Sequence, residues 1–114
     1  MKKITEYPFD ITYSIMLQFK EIGIECKEVW LTDYETKNSE YFDSNMIEIP
    51  KEVKYLEDNC FRNSKFEIIK LHEEIQSIGK FCFKNCKQLK ECKIPKSITN
   101  YPSNIFEGCE QIKE

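Results

Sequence analysis

The chain has 114 residues, the length of one domain, here residues 1–114. Its 17 basic and 20 acidic residues leave a formal net charge of −3, which excludes both the clustered basic face of a nucleic-acid binder and a polybasic membrane anchor. Eight Phe, six Tyr and one Trp beside only three Gly mark a core-forming composition rather than a disordered one.

Lys2 and Lys3 are not followed by an apolar stretch, so no secretory leader is expected and the cytoplasm is the default compartment. Thr12–Glu21 then reads as a helix, written 12–22 with its stop. Thr12 is the expected N-cap, Ile15, Met16, Phe19 and Ile22 the apolar face, and Gly23 the terminator. Runs such as Ile15-Met16-Leu17 are too short to span a bilayer, so no membrane insertion is expected. Val29-Trp30-Leu31 alternates as a strand would, and Cys26-x-x-Val29-Trp30-Leu31 repeats the spacing of Leu89-x-x-Cys92-Lys93-Ile94. Residues 33–45 are polar and acidic and read as a loop that carries Tyr41-Phe42 as a plug over the core.

From residue 46 onward the sequence repeats. A shift of 23 places Ile75 on Ile98, Phe83 on Phe106, Cys86 on Cys109 and Leu89 on Ile112. A shift of 22 the other way places Ile49 on Leu71, Val53 on Ile75, Cys60-Phe61 on Cys82-Phe83 and Asn63 on Asn85. Each unit opens with an apolar-x-apolar strand ending in Pro, as in Ile47-Glu48-Ile49-Pro50 and Cys92-Lys93-Ile94-Pro95. An apolar-x-x-apolar segment follows: Val53–Leu56, Ile75–Ile78, Ile98–Tyr101. A turn comes next, Cys82-Phe83-Lys84-Asn85-Cys86 and Ile105-Phe106-Glu107-Gly108-Cys109, and Phe66, Leu89 or Ile112 leads on. One such unit cannot bury its apolar residues alone, whereas stacked units place equivalent side chains in columns. The expected columns are Val29, Ile47, Ile69, Cys92; Leu31, Ile49, Leu71, Ile94; and Phe61, Phe83, Phe106.

Ile78-Gly79, Phe83-x-x-Cys86 and Ile94-Pro95 together make this repeat resemble the BspA-like leucine-rich repeats. His72 stands where that pattern has Pro, Pro102 where it has Gly, and Ser64 where it has Cys. The expected fold is α/β: a leucine-rich-repeat, parallel-strand solenoid with an N-terminal capping helix. Residues 1–45 form the atypical N-terminal part and 46–114 the repeats. Strands are expected at 29–31, 47–49, 69–71 and 92–94, each hydrogen-bonded to the next. The resemblance implies a non-catalytic role in binding another protein. The alternative is a structural unit that self-assembles.

Six cysteines raise the question of metal. Cys82, Cys86, Cys92 and Cys109 could be assembled on paper as a zinc site, yet Cys60/Cys82 and Cys86/Cys109 share repeat positions and read better as small buried residues, without a short-spaced ligand knuckle. Disulfides are not expected without an oxidising compartment. His72, the one histidine, has no recognisable catalytic partner, and neither a phosphate loop nor a nucleophile elbow is present. No enzyme activity and no cofactor are expected.

Alternation points Trp30, Glu48, Lys70 and Lys93 outward along one strand face, flanked by Met46, Ile68 and His72. This is the candidate protein-binding stripe, unless the 33–45 loop folds over Trp30. The stack is expected to end with Ile98, Tyr101, Phe106 and Ile112 uncovered beside an open strand edge. These four form the candidate interface of a homodimer joined through its C-terminal ends.

Overall fold

A computed structural model describes residues 5–99 and 101–112. It opens on strand β1 (Glu6–Thr12), an element beyond those expected from the sequence, although Tyr7, Phe9 and Ile11 alternate through it. Helix α1 (Tyr13–Glu21) crosses from β1 to the parallel strand β2 (Glu25–Leu31) and packs on both. Between Tyr7 and Asp10 the β1–β2 register shifts, at Pro8, which has no N–H to give to a ladder.

Thr12 stands at the N-cap of α1, but its side chain makes no capping bond. Gly23 closes the helix in the left-handed region at φ +82°. The buried face differs from the expected one. Met16 is buried, with Tyr13, Leu17 and Phe19 packed half-buried around it, whereas Ile15 and Ile22 are exposed. Tyr13, Met16 and Leu17 follow the i, i+3, i+4 spacing of one helix face. Ile22 lies beyond the last helical residue, where the chain has already turned away.

Residues 33–45 are not wholly a loop. Thr32 and Glu35 form the box that starts helix α2 (Asp33–Lys37): the buried Glu35 carboxylate accepts from Thr32 N at 2.9 Å and Thr32 Oγ1 at 2.7 Å. Phe42 stacks on Tyr13 with 5.7 Å between ring centroids and packs half-buried against the core, the plug foreseen for this segment.

Two strands per full repeat follow: β3 (Met46–Glu48) and β4 (Val53–Leu56), β5 (Ile68–Lys70) and β6 (Ser77–Ile78), then β7 (Glu91–Lys93). All pairings are parallel. They make a four-stranded sheet in the order β1-β2-β4-β6 and a three-stranded sheet in the order β3-β5-β7. The bend between the two strands of a repeat recurs as the same backbone hydrogen bond: Val53 N to Pro50 O at 3.0 Å, Ile75 N to His72 O at 3.4 Å, Ile98 N to Pro95 O at 3.1 Å.

This arrangement corrects the expected pairing of 29–31 with 47–49. Val29–Leu31 lies in the other sheet, against β4, with Val29 opposite Val53 and Leu31 opposite Leu56. An apolar-x-apolar strand faces an apolar-x-x-apolar one, and the register shift after Val29 absorbs the extra residue. All four apolar side chains are completely buried. Val29 and Leu31 therefore leave the columns of Ile47 and Ile49. The remaining columns run Ile47, Ile69, Cys92 in register, with each strand placed one residue earlier than expected.

The aromatic column forms as anticipated. Phe61, Phe83 and Phe106 stack with centroid spacings of 5.5 and 5.4 Å and interplanar angles of 17° and 14°. Asn63, Asn85 and Gly108 hold the same place in successive turns, at φ 60°, 58° and 80°. The left-handed conformation at that place explains why the repeat alternates between Asn and Gly there. Gly79 answers a different need. A Cβ on it would lie 2.4 Å from Asp58 N and 2.6 Å from the Glu57 carbonyl carbon, so the neighbouring rung's backbone occupies that space.

Candidate interaction surface

The three-stranded sheet sets its side chains in rows. Met46, Ile68 and Glu91 form one row and Glu48, Lys70 and Lys93 another, with Ile47, Ile69 and Cys92 turned inward between them. Met46, Glu48, Lys70 and Lys93 are exposed and Ile68 is half-buried. Among the described residues, none of Glu48, Lys70 and Lys93 takes part in an ion pair. The face thus sets two apolar side chains beside charges that form no ion pair among the described residues.

His72 sits at one end of these rows, in a cleft of about 570 Å³ shared with Glu48 and Lys70. Its Nε2 lies 3.1 Å from Pro50 O and its Nδ1 accepts from Glu74 N at 3.1 Å. With Nδ1 receiving, Nε2 is left to give to the Pro50 carbonyl. Both bonds serve the backbone bends of two successive rungs, so the ring is tied into the scaffold.

Trp30 does not belong to this face, which corrects the expected stripe. It lies in the four-stranded sheet, in the row Thr12, Trp30, Tyr55, Ser77. Its half-buried ring stacks on Tyr55 at 4.7 Å and 24°. The indole N–H is buried and has no acceptor among the described residues. The Tyr55 hydroxyl donates a short hydrogen bond to Glu28 Oε2; that bond, then burial, pushes the phenol upward. Trp30 borders a cleft of about 500 Å³ between α1, β1 and the ends of β2 and β4, with Tyr7, Phe19, Asp10 and Glu57 among its walls. Strand β1 supplies part of that wall; the period-two pattern of Tyr7, Phe9 and Ile11 was the signal that could have found it.

The turns between rungs carry their own ladder. Phe61 N donates to Cys82 O at 2.7 Å and Phe83 N to Ile105 O at 3.1 Å. In the opposite sense, Cys86 Sγ donates to Phe61 O at 2.9 Å and Cys109 Sγ to Phe83 O at 2.8 Å. Cys60 Sγ reaches Leu31 O at 3.2 Å. The Phe-x-x-Cys motif is thus a rung-to-rung fastener. The family model described as "BspA type Leucine rich repeat region (6 copies)" matches residues 35–114.

The chain belongs to the BspA-type leucine-rich-repeat family. No curated protein and no solved structure matches it. Families of this repeat are typically non-catalytic, and such repeats commonly mediate protein binding.

The cysteines of this BspA-type region are structural in their surroundings. Cys26, Cys60, Cys82 and Cys86 are buried, and Cys92 and Cys109 half-buried, all six as free thiols. Burial pushes the Cys60, Cys86 and Cys92 thiols up, and Cys109 up to about 11. They stay protonated at neutral pH and are weak nucleophiles. Among the described residues, no group of three or more His, Cys, Asp or Glu is placed to hold a metal ion, and no helix is long and apolar enough to cross a membrane.

Among the described residues, β7 is the last strand of the three-stranded sheet. Beside it lies a cleft of about 480 Å³ lined by Cys92, Ile94, Tyr101, Phe106 and Ile112. Ile98, expected to be uncovered, is buried at 7 % exposure within its own chain. It follows the bend at Pro95 and so points into the column below Ile75, which removes it from the candidate interface. Tyr101 is exposed, and Phe106 and Ile112 are half-buried.

Proposed function

We propose that this BspA-type chain is a non-catalytic protein-interaction module: a short solenoid whose helix α1 covers the N-terminal rungs and whose three-stranded face takes a protein partner. The observation that supports this best is the in-register row Glu48, Lys70, Lys93 beside Met46 and Ile68. Charges without ion-pair partners on an exposed face select a complementary surface. Exposed Met and Ile beside them give apolar area to bury. The test is capture from a cell extract with the wild-type chain and with Glu48→Lys/Lys70→Glu/Lys93→Glu. We expect the captured protein to be lost with the triple variant and kept with a Glu110→Lys control. Equal capture by all three chains would overturn the assignment of this face.

A second reading is self-association, favoured by the apolar cleft of Tyr101, Phe106 and Ile112 beside β7. Exposed apolar patches favour association, and two-fold pairing is the commonest way to bury them. Analytical ultracentrifugation at micromolar protein tests it: a dimer that Tyr101→Glu converts to monomer supports it, and a wild-type monomer ends it.

A further inference from the structure

The cleft at Trp30 has a composition unlike the other clefts of the molecule. The larger groove beside α1 is lined by Lys20, Lys54, Glu52 and Glu74, which neutralise one another through pairs of 2.8 and 3.0 Å. Among the described residues, the only charged groups lining the cleft at Trp30 are the carboxylates of Asp10 and Glu57, with no basic residue beside them in its lining. Both side chains are exposed, and neither makes a side-chain hydrogen bond or ion pair among the described residues. Glu57 also feels Glu35, Asp58 and Asp33, which add to burial in pushing its carboxyl up. The other walls are the rings of Trp30, Tyr7 and Phe19 and the exposed Ile15.

A cleft that joins uncompensated carboxylates to aromatic faces suits an organic cation. The carboxylates take its charge, and the rings take the flat or methylene part of its side chain. We propose that this cleft is a second docking site, which seats an arginine or lysine side chain of a basic segment on a partner protein. The inference rests on the reading of the chain as a protein-interaction module but uses a different sheet. The cleft, of about 500 Å³, has room for one such side chain and its neighbours. An arginine meets both features at once, since its guanidinium pairs with carboxylate and stacks on aromatic rings.

Trp30 is the one tryptophan of the chain, so its emission reports on this cleft. The probe is a hexa-arginine peptide titrated into the full chain at low salt. We expect a saturable change in Trp30 emission whose affinity falls as salt rises. Asp10→Asn/Glu57→Gln should weaken binding by about tenfold or more. The charge-matched control Glu107→Gln/Glu110→Gln, at the far turn, should leave it within about twofold. Circular dichroism of each variant confirms its fold. The strand-face triple variant should bind the peptide as wild type does, so failure of the strand-face reading and failure of this one are told apart. Absence of a saturable signal, or equal weakening by the charge-matched control, would overturn the site. Spermine binding as tightly as the peptide, with the same dependence on Asp10 and Glu57, would overturn the commitment to a protein segment.

Discussion

Replacing Gly79 by alanine tests the closeness of the rungs. The new Cβ would meet Asp58 N at 2.4 Å and the Glu57 carbonyl carbon at 2.6 Å, both backbone, so no side chain can swing aside. The rungs must part instead. Parting them strains Gly79 N to Leu56 O at 2.9 Å, Asn59 N to Lys80 O at 2.9 Å and Lys80 N to Asp58 Oδ1 at 2.7 Å. Overpacking costs about 1–3 kcal/mol, and each weakened hydrogen bond up to about 1 kcal/mol. The expected loss is about 3–5 kcal/mol, a large share of the ~5–15 kcal/mol that holds a small domain together. Gly23→Ala is the comparison. Nothing lies within 4 Å of its Cβ position, and only the left-handed backbone at φ +82° resists, at about 1–2 kcal/mol. Urea unfolding followed by far-ultraviolet circular dichroism reads both. A Gly79→Ala loss no larger than that of Gly23→Ala would refute the close approach of the two rungs.

Phe83→Ala removes the middle of a three-ring stack, from a fully buried site. It should cost about 3–5 kcal/mol in urea unfolding, more than Phe106→Ala, whose ring is half-buried and, among the described residues, stacks on Phe83 alone. Trp30→Phe should change stability by less than about 1 kcal/mol, because it removes an unsatisfied indole N–H while keeping a ring on Tyr55; a larger loss would mean that the N–H has a partner. Trp30→Ala, measured the same way, should cost about 1–2 kcal/mol, since the ring is only half-buried. Buried thiols should make the chain sensitive to alkali. Their acidity is weaker folded than unfolded, so the unfolded chain ionises first and stability is lost as pH rises from about 9 towards the Cys109 value of about 11. Urea midpoints in reductant should fall over that window and fall less in Cys86→Ser; a flat profile would contradict thiol burial.

The repeats were legible because their signals are periodic. Phe61, Phe83 and Phe106 share spacing, burial and orientation, and the Asn/Gly place in the turn follows from one backbone conformation. Sheet membership was not legible for Val29–Leu31. Apolar alternation states which side chains turn inward but not which strand lies alongside, and a single bulged residue let this segment join Val53–Leu56. The candidate site suffered from that same ambiguity, since Trp30 went with its strand to the other sheet. Met46, Glu48, Ile68, Lys70 and Lys93 shared a face because their strands repeat in register. The start of α2 could have been read from Thr32-x-x-Glu35.

The inter-rung bonds at Phe61 and Phe83 limit how such a chain can change length. The N–H of Phe61 is satisfied by Cys82 O of the following rung and that of Phe83 by Ile105 O, while the Phe61 carbonyl accepts from Ser64 N of its own turn as well as from the Cys86 thiol, and the Phe83 carbonyl from Cys86 N as well as from the Cys109 thiol. A whole added unit brings both partners with it and leaves the interior as it was. A fraction of a unit that lacks the acceptor carbonyl leaves the N–H of a buried Phe stranded. Gain and loss of sequence in this region should therefore be counted in complete rungs, and the surface rows of the three-stranded sheet lengthen or shorten by one strand at a time.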